Sequence, residues 1–460
     1  MSADCYLTNG LIVTEVDTFP GGLLIDSGKI AAVLPGSPPA NARRVVDLKG
    51  KTVLPGIVDG HVHLNEPGRT DWEGYASGTR AAAAGGITTI LDMPLNSVPY
   101  TTNRQALLEK KAAVADKAVV DYGFWGGLVD NNLADLEGLD QEGVIGFKAF
   151  MSESGVDYKY IQDDVLYAGL QWMKASGNVL GVHAINEALS RYQMTKLKES
   201  GRKDRHAWCE AFSPEGELEA ILRAIYWARV SGGRLHVVHV SIASGLRAID
   251  EARRQGVKVT GETCPHYLFL DQEDFVRIGP AAKCAPPIRS RDEVERLWEC
   301  VLDGSVEMIA SDHSPCTWAE KEKGLDNIWQ AWGGISGLQT MLPVMLSEGY
   351  HKRGLALTSL VRLMAGNPAR LFGIYPQKGT ISPGADADLA VIDLDQNWRL
   401  EANDLFYRNP FSAFVGATFR GKVVETIVRG ETVFKDGKII ALPGYGQFLR
   451  RSASLEKKMM

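Results

Sequence analysis

The sequence of 460 residues has few features of a secreted or membrane protein. Its six cysteines are scattered without CxxC spacing, so we expect reduced, structural thiols rather than disulfides. The amino terminus lacks a basic start followed by an apolar stretch, and no window approaches the ~18–20 continuous apolar residues of a membrane span. These absences predict a cytoplasmic protein.

The chain also lacks an excess of positive charge, since 56 aspartates and glutamates outnumber 50 lysines and arginines and the formal net charge is −6. The only basic cluster lies in a tail at 446–460, where Arg450, Arg451, Lys457 and Lys458 are expected to belong to a frayed end. No phosphate-binding GxxxxGK[ST] loop is present. Because polyanions require a basic face, we expect neither nucleic acid nor an anionic membrane as a partner. The expected partner is a small-molecule substrate.

The two ends of the chain are predicted to form one small β-sandwich. Residues 1–54 alternate polar and apolar positions and carry turn signals at Asn9-Gly10 and Ser27-Gly28, and residues 378–445 have a similar texture. Neither end is large enough to be stable alone, because a few strands need a partner face to bury. We therefore expect the two ends to assemble with each other.

Residues 55–377 have a different pattern, in which short β-rich runs alternate with helical stretches such as Pro214–Ser231. Eight strands are predicted, at Gly56–His63, Thr88–Pro94, Val119–Trp125, Val144–Phe150, Val179–His183, Arg234–Val240, Val257–Thr263 and Val306–Asp312. Eight such units are typical of an α/β fold, the (β/α)8 TIM-type barrel. Its active sites lie at the carboxyl ends of the strands.

Six side chains suited to a metal site stand at the downstream ends of these predicted strands. They are His61, His63, Lys148, His183, His239 and Asp312. His61 and His63 are two apart, so a strand points both to one face. A lone histidine in an apolar run is usually an ordinary core residue, but His183 and His239 end strands five and six of the same predicted barrel. His236 is expected to pack outward against a helix instead.

Lys148 and Asp312 each have an ordinary alternative reading. Lys148 could extend its amine to solvent at the barrel mouth, and Asp312 could cap the following segment. A protonated amine repels metal ions, but burial lowers its pKa, and the neutral amine can add CO2 to form a carbamate that bridges two ions. Four histidines and one aspartate are too few ligands for two ions, so an N6-carboxylysine at Lys148 would complete the set. Such ligands suit Zn2+, with Mn2+, Co2+ or Ni2+ as alternatives.

The motifs around these residues resemble those of the amidohydrolase superfamily, in its cyclic-amidase branch. They are His63–Arg69, Trp72–Tyr75, Asp92–Ser97, Ser311–Cys316 and Gly379–Asp388. Within that branch the chain is most similar to the allantoinase family. The resemblance extends over nearly the whole chain and implies a barrel enzyme with two divalent metal ions, assembled as a homotetramer.

The family pattern implies a role for each residue of the site. His61, His63 and Asp312 would hold one metal, His183 and His239 the other, and carboxylated Lys148 both. Substrate contacts are assigned to Asn96, Ala285, Ser314 and Ser336. The implied reaction is hydrolysis of the cyclic amide bond of allantoin to allantoate, by a hydroxide bridging the two metals, with Asp312 as the catalytic base and acid.

Related rings remain possible substrates. Dihydroorotases bind their anionic substrate with an arginine where this chain has Asn65, so a neutral ring is favoured here. Hydantoinases and dihydropyrimidinases take neutral rings but offer a tyrosine soon after the bridging lysine. In this chain Tyr158 stands farther along. Ser152, Ser154 and Ser314 could instead supply hydroxyls for a ureido group. Another neutral cyclic ureide is therefore one alternative. A non-catalytic scaffold is the other, although a scaffold has no reason to keep all six ligand positions.

Overall fold

The two chain ends meet in one β-sheet in the computed structural model, which describes residues 2–451. Its nine strands are Ala3–Val13, Thr18–Asp26, Lys29–Pro35, Ala42–Asp47, Thr52–Pro55, Leu389–Arg399, Thr418–Val428, Glu431–Lys435 and Lys438–Ile439. Strand Thr52–Pro55 joins the ends, because it pairs antiparallel with Leu389–Arg399 and places Leu54 opposite Ala390. The predicted assembly of the two ends is confirmed, and hydrogen bonding makes it a single continuous sheet.

The barrel strands are parallel, and each overlaps a predicted strand, although most are shorter than predicted. They are Ile57–Val62, Ile87–Asp92, Asp121–Phe124 continued by Gly126–Gly127, Phe147–Phe150, Val179–His183, Arg234–Val237, Val259–Thr263 and Met308–Ile309. The eighth strand returns to the first, because the His63 N–H donates to the His313 carbonyl at 2.8 Å and Val62 pairs with His313. The expected (β/α)8 barrel is confirmed.

Helices follow most barrel strands and pack on the outside. The α-helices are Tyr75–Ala84, Arg104–Val114, Leu136–Gln141, Asp163–Ser176, Glu187–Glu199, Arg205–Ala211, Pro214–Ser231, Ala243–Arg254, Pro265–Phe269, Gln272–Ile278, Arg291–Asp303, Trp318–Glu322, Met341–Val344, Leu357–Val361 and Asn367–Leu371, with π-helices at Met345–Lys352 and Arg362–Gly366. Pro214–Ser231 has the predicted bounds, since Ser213 caps its start and Gly232, at φ 75°, ends it. No helix within residues 2–451 combines the length and the apolar character needed to cross a membrane.

A buried charge cluster joins the β-domain to the barrel. The Lys378 Nζ lies 2.5 Å from Asp121 Oδ2, 2.7 Å from Asp388 Oδ2 and 3.0 Å from Asp386 Oδ2. Burial alone would lower the pKa of Lys378, but the three carboxylates outweigh burial and raise it. Asp121 begins the third barrel strand, so this cluster fixes the barrel to the sheet.

The described part of the tail differs from the expected frayed end. The Tyr122 N–H donates to the Gln447 carbonyl at 3.0 Å, and the Leu449 N–H donates to the Tyr122 carbonyl at 2.7 Å. Phe448 stacks on Phe124 with 5.4 Å between ring centroids. Backbone hydrogen bonds and the Phe448 ring therefore hold this segment against the third barrel strand, and residues 452–460 lie outside the described residues.

Candidate metal centre

The six predicted ligands line one cavity at the carboxyl ends of the barrel strands. They are His61, His63, Lys148, His183, His239 and Asp312. Strand one carries His61 and leads directly into His63, strand four carries Lys148, and strand five ends on His183. The barrel therefore brings together residues that are up to 251 positions apart in the sequence (312 − 61).

His61, His63 and Asp312 form one half of the cluster. Asp312 Oδ1 lies 3.1 Å from His61 Nε2 and 3.4 Å from His63 Nε2. One ligand atom from each of the three residues lies within 4.8 Å of the others, so a single ion could contact all three. Burial alone would raise the pKa of Asp312, but His61 and His63 outweigh it and lower the pKa, which keeps the carboxylate ionised.

His183 and His239 form the other half. His183 Nδ1 and His239 Nε2 are 2.9 Å apart, with the rings almost perpendicular at 76°. Burial lowers the pKa of His183 to about 3 and lowers that of His239 as well. Both imidazoles are therefore neutral at physiological pH, the form that binds metal ions.

The backbone is strained at two of the predicted ligands. His239 has a φ of 40° and Asp312 a φ of 44°, in the left-handed region that side chains other than glycine rarely adopt. Both residues come shortly after the end of a barrel strand, and both side chains line the cavity at the barrel mouth. Such strain persists only where surrounding contacts impose it, and it is common at functional sites.

Lys148 is completely buried beside these groups. Its Nζ has no hydrogen-bond partner among residues 2–451. Burial lowers the pKa of Lys148 to about 7, despite the opposing effect of Glu262 and Asp312. A buried amine without a partner is costly, and conversion to a carbamate would give it the negative charge that two neighbouring metal ions require.

Glu262 is the functional residue that sequence reasoning missed. It lies inside barrel strand seven, with Oε1 2.6 Å from His61 Nδ1 and Oε2 3.0 Å from His236 Nε2. A carboxylate on Nδ1 fixes the proton there and leaves His61 Nε2 free to face a metal ion. The available signal was an acidic residue in the middle of a buried strand.

The expectation that His236 packs outward against a helix is wrong. His236 is completely buried, with Nδ1 2.8 Å from Thr260 Oγ1 and Nε2 bound to Glu262. The strand ends at Val237, and the positive φ at His239 breaks strand alternation between the two histidines. The His236 imidazole and the His239 backbone N–H therefore both contact Glu262.

Three of the four predicted substrate contacts line the cavity, namely Asn96, Ala285 and Ser314. Asn96 Oδ1 is buried without a hydrogen-bond partner in the described part of the chain. Ser336 does not line the cavity, and its carbonyl accepts a hydrogen bond from the Ser412 hydroxyl at 2.6 Å. The cavity therefore offers a free amide oxygen and the Ser314 side chain to a polar ligand.

Tyr158 is not available to such a ligand. Its hydroxyl donates to the Lys148 carbonyl at 2.7 Å, and burial raises the pKa of the phenol. Ser154 lines the cavity, but its hydroxyl contacts the carbonyls of Val156 and Tyr158 within its own loop. Of the three serines considered from the sequence, Ser314 is the one that lines the cavity with no such loop contact.

Comparison with known proteins agrees with this geometry. A family model described as "Amidohydrolase family" matches residues 52–433. The chain belongs to the amidohydrolase family. This amidohydrolase is 47% identical to a protein named allantoinase from Rubrobacter xylanophilus and 41% identical to one from Solibacter usitatus, each over 98% of both chains. The solved L-hydantoinase (dihydropyrimidinase) of Arthrobacter aurescens has a TM-score of 0.95 and 37% identity, covering 98% of this chain and 100% of its own.

The donor set of this amidohydrolase fits a pair of divalent ions. One cavity is lined by four buried imidazoles, one ionised carboxylate and one amine that has no hydrogen-bond partner in the described residues. His63 Nδ1 and His239 Nδ1 are also buried without partners in the described residues. Imidazole and oxygen ligands without cysteine are typical of catalytic sites that keep a position open for substrate or water.

Proposed function

We propose that this protein hydrolyses the ring amide bond of allantoin to give allantoate. The observation that carries the proposal is that all six predicted ligands line one cavity, in a chain 47% identical to a protein named allantoinase over 98% of both proteins. A scaffold that has lost its chemistry would gain nothing from burying histidines beside a carboxylate or straining its backbone there. The contacts at the cavity of His61, His63, His183 and His239 therefore argue against this alternative.

We assign His61, His63 and Asp312 to one divalent ion and His183 and His239 to the second. Carboxylated Lys148 would contact both. The neutral Lys148 amine attacks CO2, a new N–C bond forms, and the released proton leaves the carbamate with one negative charge. The depressed pKa of Lys148, about 7, supports this step because a large share of the amine is unprotonated at neutral pH.

Asp312 is the group that moves the proton. When bound, the two ions would supply Lewis acidity and lower the pKa of a water from 15.7 to roughly 7. As the hydroxide oxygen bonds to the ring carbonyl carbon, Asp312 accepts the hydroxide proton and delivers it to the ring nitrogen when the C–N bond breaks, so the carbonyl carbon becomes a carboxylate. The lowered pKa of Asp312 keeps it ionised and therefore able to accept a proton, and its Oδ1 lies 3.1 Å from Nε2 of the predicted metal ligand His61.

The cavity favours a neutral, polar ring. Asn65 stands where a dihydroorotase would have an arginine, and its Nδ2 donates to the Pro315 carbonyl at 3.3 Å. The Tyr158 hydroxyl is bound to the Lys148 carbonyl, so the chain has no free phenol there for a hydantoinase-like contact. Asn96 and Ser314 are left as polar partners for a ureido substituent.

A substrate panel tests the function directly. Metal-loaded protein is assayed with allantoin, hydantoin, dihydrouracil and dihydroorotate, and metal content is measured on the same sample. We expect allantoin to have the highest kcat/KM and dihydroorotate the lowest. Preference for hydantoin or dihydrouracil would assign the alternative ring, and no turnover by fully loaded protein would support the scaffold alternative.

Zinc as the metal, a cytoplasmic location and a tetrameric assembly are finer parts of the same proposal. Zinc is supported by the imidazole and carboxylate donors, although Mn2+, Co2+ and Ni2+ suit the same set. The location is inferred from scattered cysteines that are all free and buried. The tetramer is inferred only from resemblance to related enzymes. Elemental analysis and light scattering test the metal and the assembly.

A further inference from the structure

Two neighbouring loops outside the predicted metal ligands line the same cavity, and a Cβ on Gly333 of one loop would lie 3.9 Å from the Ala285 Cβ of the other. The first loop, residues 283–286, follows barrel strand seven and contributes Ala285. The second loop, residues 331–335, contributes Trp332 and Gly333. Neither loop lies in a strand or a helix, so regular secondary structure does not fix the distance between them.

Two buried lysines connect these loops reciprocally. Lys321 Nζ donates to the Lys283 carbonyl at 3.1 Å, in the first loop, and to the carbonyls of Trp332 and Gly334 at 2.9 and 2.6 Å, in the second. Lys283 Nζ donates in turn to the Ala331 carbonyl at 2.6 Å. The three N–H donors of one ammonium therefore match three carbonyls on two separate loops.

Neither lysine has the carboxylate partner that a buried cation usually has. Lys321 is 1% and Lys283 2% exposed, and within residues 2–451 neither forms a salt bridge. Lys283 Nζ instead lies 3.8 Å from the centre of the Trp208 ring, whose N–H donates to the Cys284 carbonyl at 2.9 Å. Burial lowers the pKa of both lysines, which shows that the surroundings disfavour a charge there, and an apolar side chain would fill the space more favourably than an amine bound only by carbonyls and a ring. These lysines are therefore better explained by the geometry they impose than by stability.

The second loop is also held close against the cavity wall. The Ser314 N–H donates to the Ile335 carbonyl at 3.0 Å. A Cβ on Gly334 would lie 2.2 Å from the Ser314 carbonyl oxygen, so only glycine fits. The carbonyls of residues 331, 332, 334 and 335 are all engaged, while the Gly333 peptide has no intramolecular hydrogen bond in the described chain and borders the cavity.

We propose that Lys321, together with Lys283, is a positioning residue that sets the separation of these two loops and thereby the fit of the ring substrate. This proposal rests on the proposed cyclic-ureide hydrolysis, because it concerns the same cavity. Lys321 touches neither the six metal ligands nor the reacting atoms. Its removal should therefore weaken productive binding of the ring and leave the metal site loaded.

The principal test is Lys321→Met, which keeps the length and the apolar stem but removes all three donors. A small misplacement of a positioning contact costs on the order of ten- to a hundredfold, so we expect kcat/KM for the ring substrate to fall by about tenfold or more, mainly through KM. Metal content should stay at the parent value. Lys321→Gln keeps one donor group and should fall between the two, and Lys352→Met, at an exposed lysine paired with Glu348, is the matched control.

Hydrogen–deuterium exchange gives a readout that does not depend on activity. We expect faster exchange at residues 331–335 in Lys321→Met and in Lys283→Met, with no change in the segments that carry the metal ligands. If Lys321→Met does not fold, Lys283→Met and Lys321→Gln decide the question by the same measurements. Parent-like KM and parent-like exchange in the folded variants would overturn the proposal, as would a loss of metal parallel to the loss of activity. Failure of the parent to hydrolyse any ring would instead refute the proposed function, while the exchange result would still test whether the two lysines hold the loops in place.

Discussion

Replacing Glu262 with glutamine tests the buried network behind the metal ligands. Glu262 Oε1 lies 2.6 Å from His61 Nδ1, and the His239 N–H also donates to it at 3.2 Å. Glu262→Gln keeps an oxygen for these donors, and its amide N–H can donate to His236 if that imidazole shifts its proton to Nδ1, next to Thr260. The substitution thus removes the negative charge while leaving the shape of the network nearly unchanged.

The expected magnitude follows from the geometry. A hydrogen bond of 2.6 Å to an ionised carboxylate is charge-assisted and roughly twice as strong as a neutral one. Loss of such a partner behind a ligating histidine typically lowers metal affinity about 10- to 100-fold, which corresponds to about 1.4–2.7 kcal/mol. Because glutamine retains an acceptor for His61, we expect the lower end of that range.

Chelator competition measures the change. Parent and Glu262→Gln are titrated against a chelator of known affinity, and the bound metal is counted at each step. Glu425→Gln is the matched control, because Glu425 is also buried but binds Thr432 and Lys435 in the β-domain. Metal affinity of Glu262→Gln within about twofold of the parent would refute the orienting role, since that role requires roughly tenfold or more.

Three further substitutions test other parts of the molecule. Lys148→Ala should lose half or all of the bound metal, and short-chain carboxylic acids should restore part of it by supplying the missing carboxylate; full activity without Lys148 would exclude the bridge. Asp312→Asn should abolish turnover even when metal is still bound, and a near-normal kcat would assign the proton transfer to another group. Lys378→Met leaves three buried carboxylates without their shared cation and should lower the free energy of unfolding by about 3–5 kcal/mol in urea denaturation. Lys29→Met, the control that loses a half-exposed pair with the same Asp386, should cost less than about 1 kcal/mol, and equal costs would contradict this account.

Much of the site was predictable because each ligand follows a local pattern. Strand periodicity and the apolar runs located His61, His63 and His183, and the rule that barrel active sites lie at the carboxyl ends of strands placed them on one rim. What local patterns do not give is the direction of the backbone after a strand ends. His239 and Asp312 reach the cavity through positive φ angles, and the same break in alternation made the prediction for His236 wrong.

Contacts between side chains on different barrel strands could not be predicted from local sequence patterns either. Glu262 contacts His61 although the two are 201 positions apart, and the sequence near either residue does not indicate that they meet. The charge cluster at Lys378 also depends on carboxylates from two domains, Asp121 in the barrel and Asp388 in the sheet. Long-range contacts of this kind are set by topology, so they appear only when the fold is assembled.

Three buried lysines show why residue type alone does not reveal function. Lys378 is neutralised by three carboxylates, which makes it a structural cation. Lys321 is held by three carbonyls of the cavity loops, whereas Lys148 contacts the Phe150 ring and has no hydrogen-bond partner within residues 2–451. A buried amine must be paired, hydrogen-bonded or chemically altered, because an isolated charge is too costly in the interior. Each of these solutions assigns a different role, and Lys148, whose amine has no hydrogen-bond partner in the described residues, is the lysine that most requires a group from outside the protein.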